Sequence, residues 1–278
     1  MWAEVVWFAS AKRRFRFKSS QVFAVSDDTV NRTQTEEIRD ICDAFVHGLR
    51  QVLVKKLYAA YIFGAAAFPD ALPTGDIDFH VILNDELTVA ERSALEELHR
   101  TLADRFPPLG GELDGYYILL ADARRDSPPQ SQMWRRATDD SWALHCEHIR
   151  AGRHIVLHGP DPREIYPSAN WVQIEAALRN EFDFVREHLQ DYPDYCILNL
   201  CRLIYSYETK DVVISKAKAA DWAHEALPSW KRHIDLARKS YARQITSEER
   251  EFILAEAASF FEFARSCIEK ARSRRGKE

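Results

Sequence analysis

Gly75-Asp76-Ile77-Asp78-Phe79-His80-Val81-Ile82-Leu83 decides how this chain is read. Two carboxylates stand two residues apart at the entry to a run of alternating apolar residues. Side chains alternate across a strand, so Asp76 and Asp78 share one face while Ile77, Phe79, Val81 and Leu83 share the other. Paired acids close behind a glycine can hold a divalent cation between protein and phosphate. Mg²⁺ takes one or two protein carboxylates and fills its other positions with water and phosphate oxygens. The same pair also suits a polar strand edge facing water, so the neighbouring residues must decide.

Upstream, residues 57–63 (LYAAYIF) are apolar and aromatic, and Gly64 breaks the run as a turn does. Ala65, Ala66 and Ala67 offer small side chains where a phosphate could approach the backbone, and Pro69, Pro73 and Gly75 punctuate the return to Asp76. Strand, glycine turn, then paired acids on the next strand resembles the opening of a polymerase-β-type nucleotidyltransferase domain.

Composition bounds the reading. The 278 residues are 46% hydrophobic and 29% charged, which describes a soluble globular chain of one large or two modest domains. No apolar run approaches the ~20 residues of a membrane helix. An apolar start, Met1 to Ser10, precedes the basic cluster Lys12, Arg13, Arg14, Arg16 and Lys18. That is the reverse of a secretory signal, so residues 1–30 read as an extension outside the core fold. The five cysteines, Cys42, Cys146, Cys196, Cys201 and Cys267, include no Cys-x-x-Cys pair and fit buried thiols in a reducing cytoplasm. His145, Cys146, His148, His154 and His158 lack a recurring ligand spacing and predict no metal cluster. The net charge of −5 argues against nucleic acid as a main partner and suits a cationic substrate. The basic C-terminal residues Lys270, Arg272, Arg274, Arg275 and Lys277 read as a solvated helix end.

The pattern changes near the middle. Residues 31–160 alternate helix and strand. A capping box, Thr33 with Glu36, leads into Ile38, Cys42, Phe45, Leu49 and Leu53 at helical spacing. A second, Thr88 with Glu91, opens a helix that runs towards Phe106 and stops at Pro107-Pro108. Residues 112–120 form a third strand with acids at its entrance, and residues 124–132 a loop. A helix over about 141–150 and a short strand over 154–157 precede the break at Gly159-Pro160-Asp161-Pro162. From residue 168 to 278 the spacing predicts only helices, over about 170–190, 194–209, 216–226, 230–243 and 247–273. A Thr246/Glu249 capping box opens the last, with Ile253, Ala257, Phe260, Phe261 and Ala264 as its core stripe. The expected fold class is α+β, a mixed sheet with helices followed by an all-α bundle.

The second half carries a sharper resemblance. Tyr195-Cys196-Ile197-Leu198-Asn199-Leu200-Cys201-Arg202-Leu203-Ile204-Tyr205 is followed by Ile214-Ser215-Lys216-Ala217-Lys218-Ala219-Ala220-Asp221-Trp222-Ala223 and Leu227-Pro228. These runs resemble the C-terminal helical domain of the streptomycin/spectinomycin (aminoglycoside) adenylyltransferases, which join a polymerase-β-type domain to a helical bundle. As domain order the likeness covers residues 40–260, and it is sharpest from Arg202 to Trp222. It implies transfer of AMP from ATP, with Mg²⁺, to a hydroxyl of a small, cationic acceptor of aminoglycoside type, with pyrophosphate released, and hence antibiotic resistance.

The resemblance assigns Mg²⁺ and the triphosphate to Asp76 and Asp78, and the phosphates to the Gly64-Ala65 turn and Lys216. It sets Arg202 near the nucleotide and puts the acid that activates the acceptor hydroxyl at Asp114, with Glu112 as competitor. Read by itself, a carboxylate at 114 can accept a hydroxyl proton, but Asp114-Gly115 is also a common turn pair. Ser215 is a natural helix cap, which sets Lys216 beside exposed N–H groups in a first turn where lysine is otherwise unfavourable. Arg202 reads equally as a helix-surface ion pair. Trp222 and Ala223 read as core.

Three departures stand out. Ala65 replaces a family serine and removes one hydroxyl from the phosphate turn. Trp134 and Trp142 both lie where the family carries an acceptor-contacting aromatic. The family's acceptor acids have no clean counterpart among Asp183, Glu187, Asp191 and Asp194. Two alternatives therefore stay open: transfer to another small molecule or a protein hydroxyl, and a nucleotide-binding regulatory module without turnover. Ala65 favours the module, and retention of three acids opposes it.

Overall fold

The computed structural model describes residues 27–72, 75–133 and 141–275. Helix α1 (Asp27–Leu53) comes first. Cys42, Phe45, Leu49 and Leu53 are buried along one stripe, as their spacing predicts, while Ile38 is half-buried against it and Ile41 is the fully buried residue at that end. Its start differs from expectation. The helix begins ahead of Thr33, so the Thr33/Glu36 motif lies inside it, and helix crosses the expected boundary at residue 30.

The sheet follows from β1 (Leu57–Phe63), β2 (Ile77–Leu83), β3 (Leu113–Leu119) and, later in the chain, β4 (Ile155–His158). Its order is β3-β2-β1-β4. β1 runs antiparallel to both β2 and β4, whereas β2 and β3 are parallel. A parallel pair needs a crossover, and α2 (Val89–Arg105) supplies it. The Thr88 capping box forms as expected: the Thr88 amide donates to Glu91 Oε2 at 2.7 Å and the Glu91 amide donates to Thr88 Oγ1 at 3.2 Å.

Strand alternation divides the core. Ile77, Phe79, Val81 and Leu83 pack with the buried stripe of α1 and with Leu95 and Leu102 of α2. Tyr61, Phe63 and Ile82 face the other way. They pack with Ala123 of the short helix α3 (Leu120–Ala123), with Trp142, Cys146 and Ile149 of α4 (Trp142–Arg150), and with Tyr166.

The remaining helices are α5 (Trp171–His188), α6 (Pro193–Thr209), α7 (Lys216–Ala226), α8 (Lys231–Tyr241) and α9 (Ser247–Arg275), each within a few residues of its predicted span. α6 packs against the other four and is buried nearly all round, as an apolar run such as Cys196-Ile197-Leu198 requires. α9 opens on the Thr246/Glu249 box, and its predicted stripe is buried. α4 serves two cores: Ala143 and Leu144 join the bundle while Trp142, Cys146 and Ile149 join the sheet. Among the described residues no helix is long and apolar enough to cross a membrane.

Candidate active site

The strand register builds the site in rows. Phe63 of β1 pairs with Asp78 of β2, and Asp78 pairs with Asp114 of β3. One step further along the same face come Tyr61, His80 and Tyr116. Asp76 immediately precedes β2, and Asp76, Asp78 and Asp114 are all half-buried. Asp78 and Asp114 therefore lie side by side at one end of one sheet face, with Asp76 on the chain just entering β2. Glu112 lies one step beyond Asp114, at the end of a 3₁₀ turn, and its carbonyl accepts from the Ile77 amide at 3.0 Å.

Below the acids the face turns neutral. His80 is fully buried, with ring centroids of Phe63 at 4.3 Å, Trp142 at 5.4 Å and Tyr166 at 5.8 Å. Its Nδ1 lies 3.1 Å from the Tyr166 hydroxyl. Burial, with His145 nearby, holds the imidazole well below its ordinary pKa, so the ring is uncharged at neutral pH.

Two glycines let backbone and carboxylate approach. Gly64 opens the 3₁₀ turn Gly64–Ala67 at φ +66°, and a Cβ there would lie 1.8 Å from Asp78 Oδ2. Only glycine fits beneath that carboxylate. At Gly115 a Cβ would lie 1.9 Å from the Phe79 carbonyl oxygen, so the residue beside Asp114 must be small for β3 to reach β2. Among the described residues no group of three or more His, Cys, Asp or Glu makes a closed metal cage. An open pair of carboxylates beside a glycine turn nevertheless suits Mg²⁺ that brings phosphate and water oxygens with it.

The bundle approaches through the segment before α7. Ser215 caps α7, accepting from the Lys218 amide at 3.1 Å, and donates its hydroxyl to Asp70 Oδ2 at 3.0 Å. Asp70 lies in the loop that leaves the Gly64 turn. His148 Nε2–H donates to the Val212 carbonyl at 2.7 Å, and the Phe68 ring meets His148 edge-on at 5.5 Å. Lys216, first residue of α7, sets its Nζ 4.5 Å from the centroid of the Tyr195 ring. Arg202 pairs with Glu181 at 3.4 Å, and Glu181 also accepts from Ser141 at 2.9 Å and Asn199 at 3.0 Å. Arg202 thus makes an ion pair that is partly buried rather than on the helix surface.

Other candidates are resolved by packing. Trp142 is buried under the sheet with its indole N–H donating to the Arg125 carbonyl at 3.1 Å, which makes it core. Trp134 lies outside the described residues. Asp183 pairs with Arg186, and Asp194 accepts from the Tyr195 amide and the Ser240 hydroxyl. Glu187 and Asp191 are exposed. A cavity of about 510 Å³ opens elsewhere, lined by Trp171, Tyr207, Lys210 and Arg272 among others, and contains none of the candidate residues.

Sequence reasoning missed Asp70 and Glu181. Both act through partners distant in the chain, and no local spacing signals them.

The mixed sheet, its acid-bearing end and the helical bundle define an α+β nucleotidyltransferase fold. The crystal structure of spectinomycin adenyltransferase from Enterococcus faecalis with ATP and spectinomycin matches with a TM-score of 0.65 at 18% identity, covering 84% of this chain and 99% of that one. Residues 167–266 match the family model described as aminoglycoside adenylyltransferase, C-terminal domain. Spectinomycin 9-adenylyltransferase of Enterococcus faecalis is 22% identical over 215 residues, 69% of this chain and 83% of the relative. The chain is thus similar to the spectinomycin adenylyltransferases over most of its length, and to the aminoglycoside adenylyltransferase C-terminal domain over its helical second half.

Proposed function

We propose that this protein transfers AMP from MgATP to a hydroxyl of an aminoglycoside-type small molecule and releases pyrophosphate. The observation that carries this reading is the row in which Asp78 lies between Asp114 and the Gly64 turn. The kind of acceptor rests on the relatives, whose names specify spectinomycin.

In this reading Asp76 and Asp78 hold Mg²⁺, which supplies charge neutralisation at the triphosphate. The Gly64–Ala67 turn presents backbone N–H groups to the phosphates, with Ala65 contributing no hydroxyl. Asp114 takes the proton from the acceptor hydroxyl at its carboxylate. The acceptor oxygen then bonds to the α-phosphorus as the bond to the bridging oxygen breaks and pyrophosphate departs. Lys216 meets the phosphates from the bundle side. Arg202 is a second cation there, its guanidinium directed by Glu181. The reading divides the chain into a nucleotidyltransferase domain, 31–160, and a helical domain, 168–278, with the substrates between them. The five free cysteines fit a cytoplasmic reaction that would confer antibiotic resistance.

Mass spectrometry of spectinomycin and streptomycin incubated with protein and MgATP tests the reading. The expected result is an AMP adduct from the intact protein. Asp114→Asn should retain MgATP binding by calorimetry and yield no adduct. An unchanged adduct from Asp114→Asn would remove Asp114 as the base. MgATP binding without an adduct on either compound would favour another acceptor or a regulatory module.

A further inference from the structure

One hydrogen bond ties the loop leaving the Gly64 turn to the helix that carries Lys216. Asp70 accepts from Ser215 across a separation of 145 residues. Ser215 is 5% exposed, and its oxygen already accepts from the Lys218 amide. Its single proton is therefore free to go to Asp70. Capping α7 needs only the serine oxygen, so the carboxylate adds something else. It fixes where the first turn of α7 stands relative to the loop, and its charge lies at the end of a helix whose dipole disfavours Lys216.

The surroundings make this a strap. Ile214 is buried beside Ser215, and Val212 is held by His148, which also meets Phe68 of the same loop. Leu72, two residues beyond Asp70, packs against the bundle core.

We propose that Asp70 is a positioning residue: through Ser215 it fixes the start of α7, and with it the backbone of Lys216, relative to the loop that leaves the Gly64 turn, and so sets the affinity for MgATP. This rests on the nucleotidyltransferase reading of Lys216 and the turn.

Calorimetric titration of the full chain with MgATP, paired with thermal unfolding, tests it. Asp70→Ala leaves the cap in place and should weaken MgATP binding by about tenfold while lowering the unfolding midpoint by only a few degrees, with the protein still folded. Asp70→Asn keeps an oxygen for the Ser215 hydroxyl and should recover most of that loss. Ser215→Gly, a change tolerated at a cap, removes the other end of the bond and should match Asp70→Ala. Because Asp70 acts chiefly through Lys216, Asp70→Ala on the Lys216→Ala background should cost far less than the roughly tenfold it costs alone, the remainder being what the turn itself loses. Affinity within about twofold of native in Asp70→Ala, or the full loss persisting on the Lys216→Ala background, would overturn the proposal. Intact protein that binds no MgATP would end the nucleotide reading itself and this inference with it.

Discussion

Gly64→Ala tests the site at its tightest contact. Two costs arise. An L-residue at φ +66° is in the left-handed region, at about 1–2 kcal/mol. The added Cβ would lie 1.8 Å from Asp78 Oδ2 and 2.7 Å from its Cγ, so the carboxylate must leave its place. Turning that side chain off its rotamer adds about 0.5–1.5 kcal/mol. Together these give about 1.5–3.5 kcal/mol, or a fall of roughly 3–14 °C in unfolding midpoint for a chain of this size. MgATP affinity should fall as well, because the displaced group is the candidate metal ligand. On an Asp78→Ala background the nearest remaining atom is Cβ at 3.0 Å, and the cost should shrink to the backbone component of about 1–2 kcal/mol. Circular dichroism melts and calorimetry on the four proteins of this cycle measure both effects. A Gly64→Ala midpoint within about 1 °C of native with MgATP binding unchanged would refute the reasoning, as would equal costs on both backgrounds.

The pH dependence of stability follows from the buried imidazoles. Burial, reinforced by the Arg202 charge, lowers His148 to about 4, so the ring stays neutral in the fold and ionises more readily once unfolded. The unfolded chain then binds more protons between about pH 4 and 6.5, and the His148 contribution, complete above 6.5, declines by about 3 kcal/mol as pH falls through that window. Urea melts should show a shallower acid limb in His148→Gln, and an equally steep limb would count against the assignment. Glu181→Ala removes the acceptor shared by Ser141, Asn199 and Arg202 and should cost about 2 kcal/mol in denaturant unfolding. Adding Arg202→Ala should cost less than the two changes summed, and strict additivity would mean that the pair contributes nothing.

Local chemistry was legible in the sequence and long-range partnership was not. β1 and β2 were readable because apolar runs bounded by glycine and proline need no tertiary context. The Thr88 and Thr246 boxes were readable because a cap is satisfied within three residues. The Thr33 motif misled for the same reason: a capping pattern is only one way to begin a helix, and α1 continues through it. Asp76, Asp78 and Asp114 could be placed on one face by alternation, but their alignment needed the β2–β3 register. Trp142 was ambiguous because a tryptophan at a helix start serves a ligand or a core equally well, and the layer over His80 decides for the core. Glu181 gave no signal, since its partners come from α6 and from the start of α4.

Ala65 is the departure that most threatens the functional reading, and the fold supplies a physical reason why transfer can survive it. A phosphate turn without its hydroxyl depends on backbone N–H groups, whose directions are only as fixed as the loop that carries them. That loop is constrained at both ends. Gly64 is seated against Asp78 so closely that no side chain fits. Six residues later Asp70 is tied to Ser215, and Leu72 is packed into the bundle. A segment pinned at residues 64, 70 and 72 loses little further freedom when a ligand binds, so preorganisation offsets part of the lost contact. The same constraint predicts where the replacement belongs. Ala65→Ser restores the missing donor without moving the backbone, and should tighten MgATP binding in the native chain by several-fold. In Asp70→Ala, whose turn is no longer held, the gain should be smaller. An equal gain in both proteins would show that the tether does not order the turn.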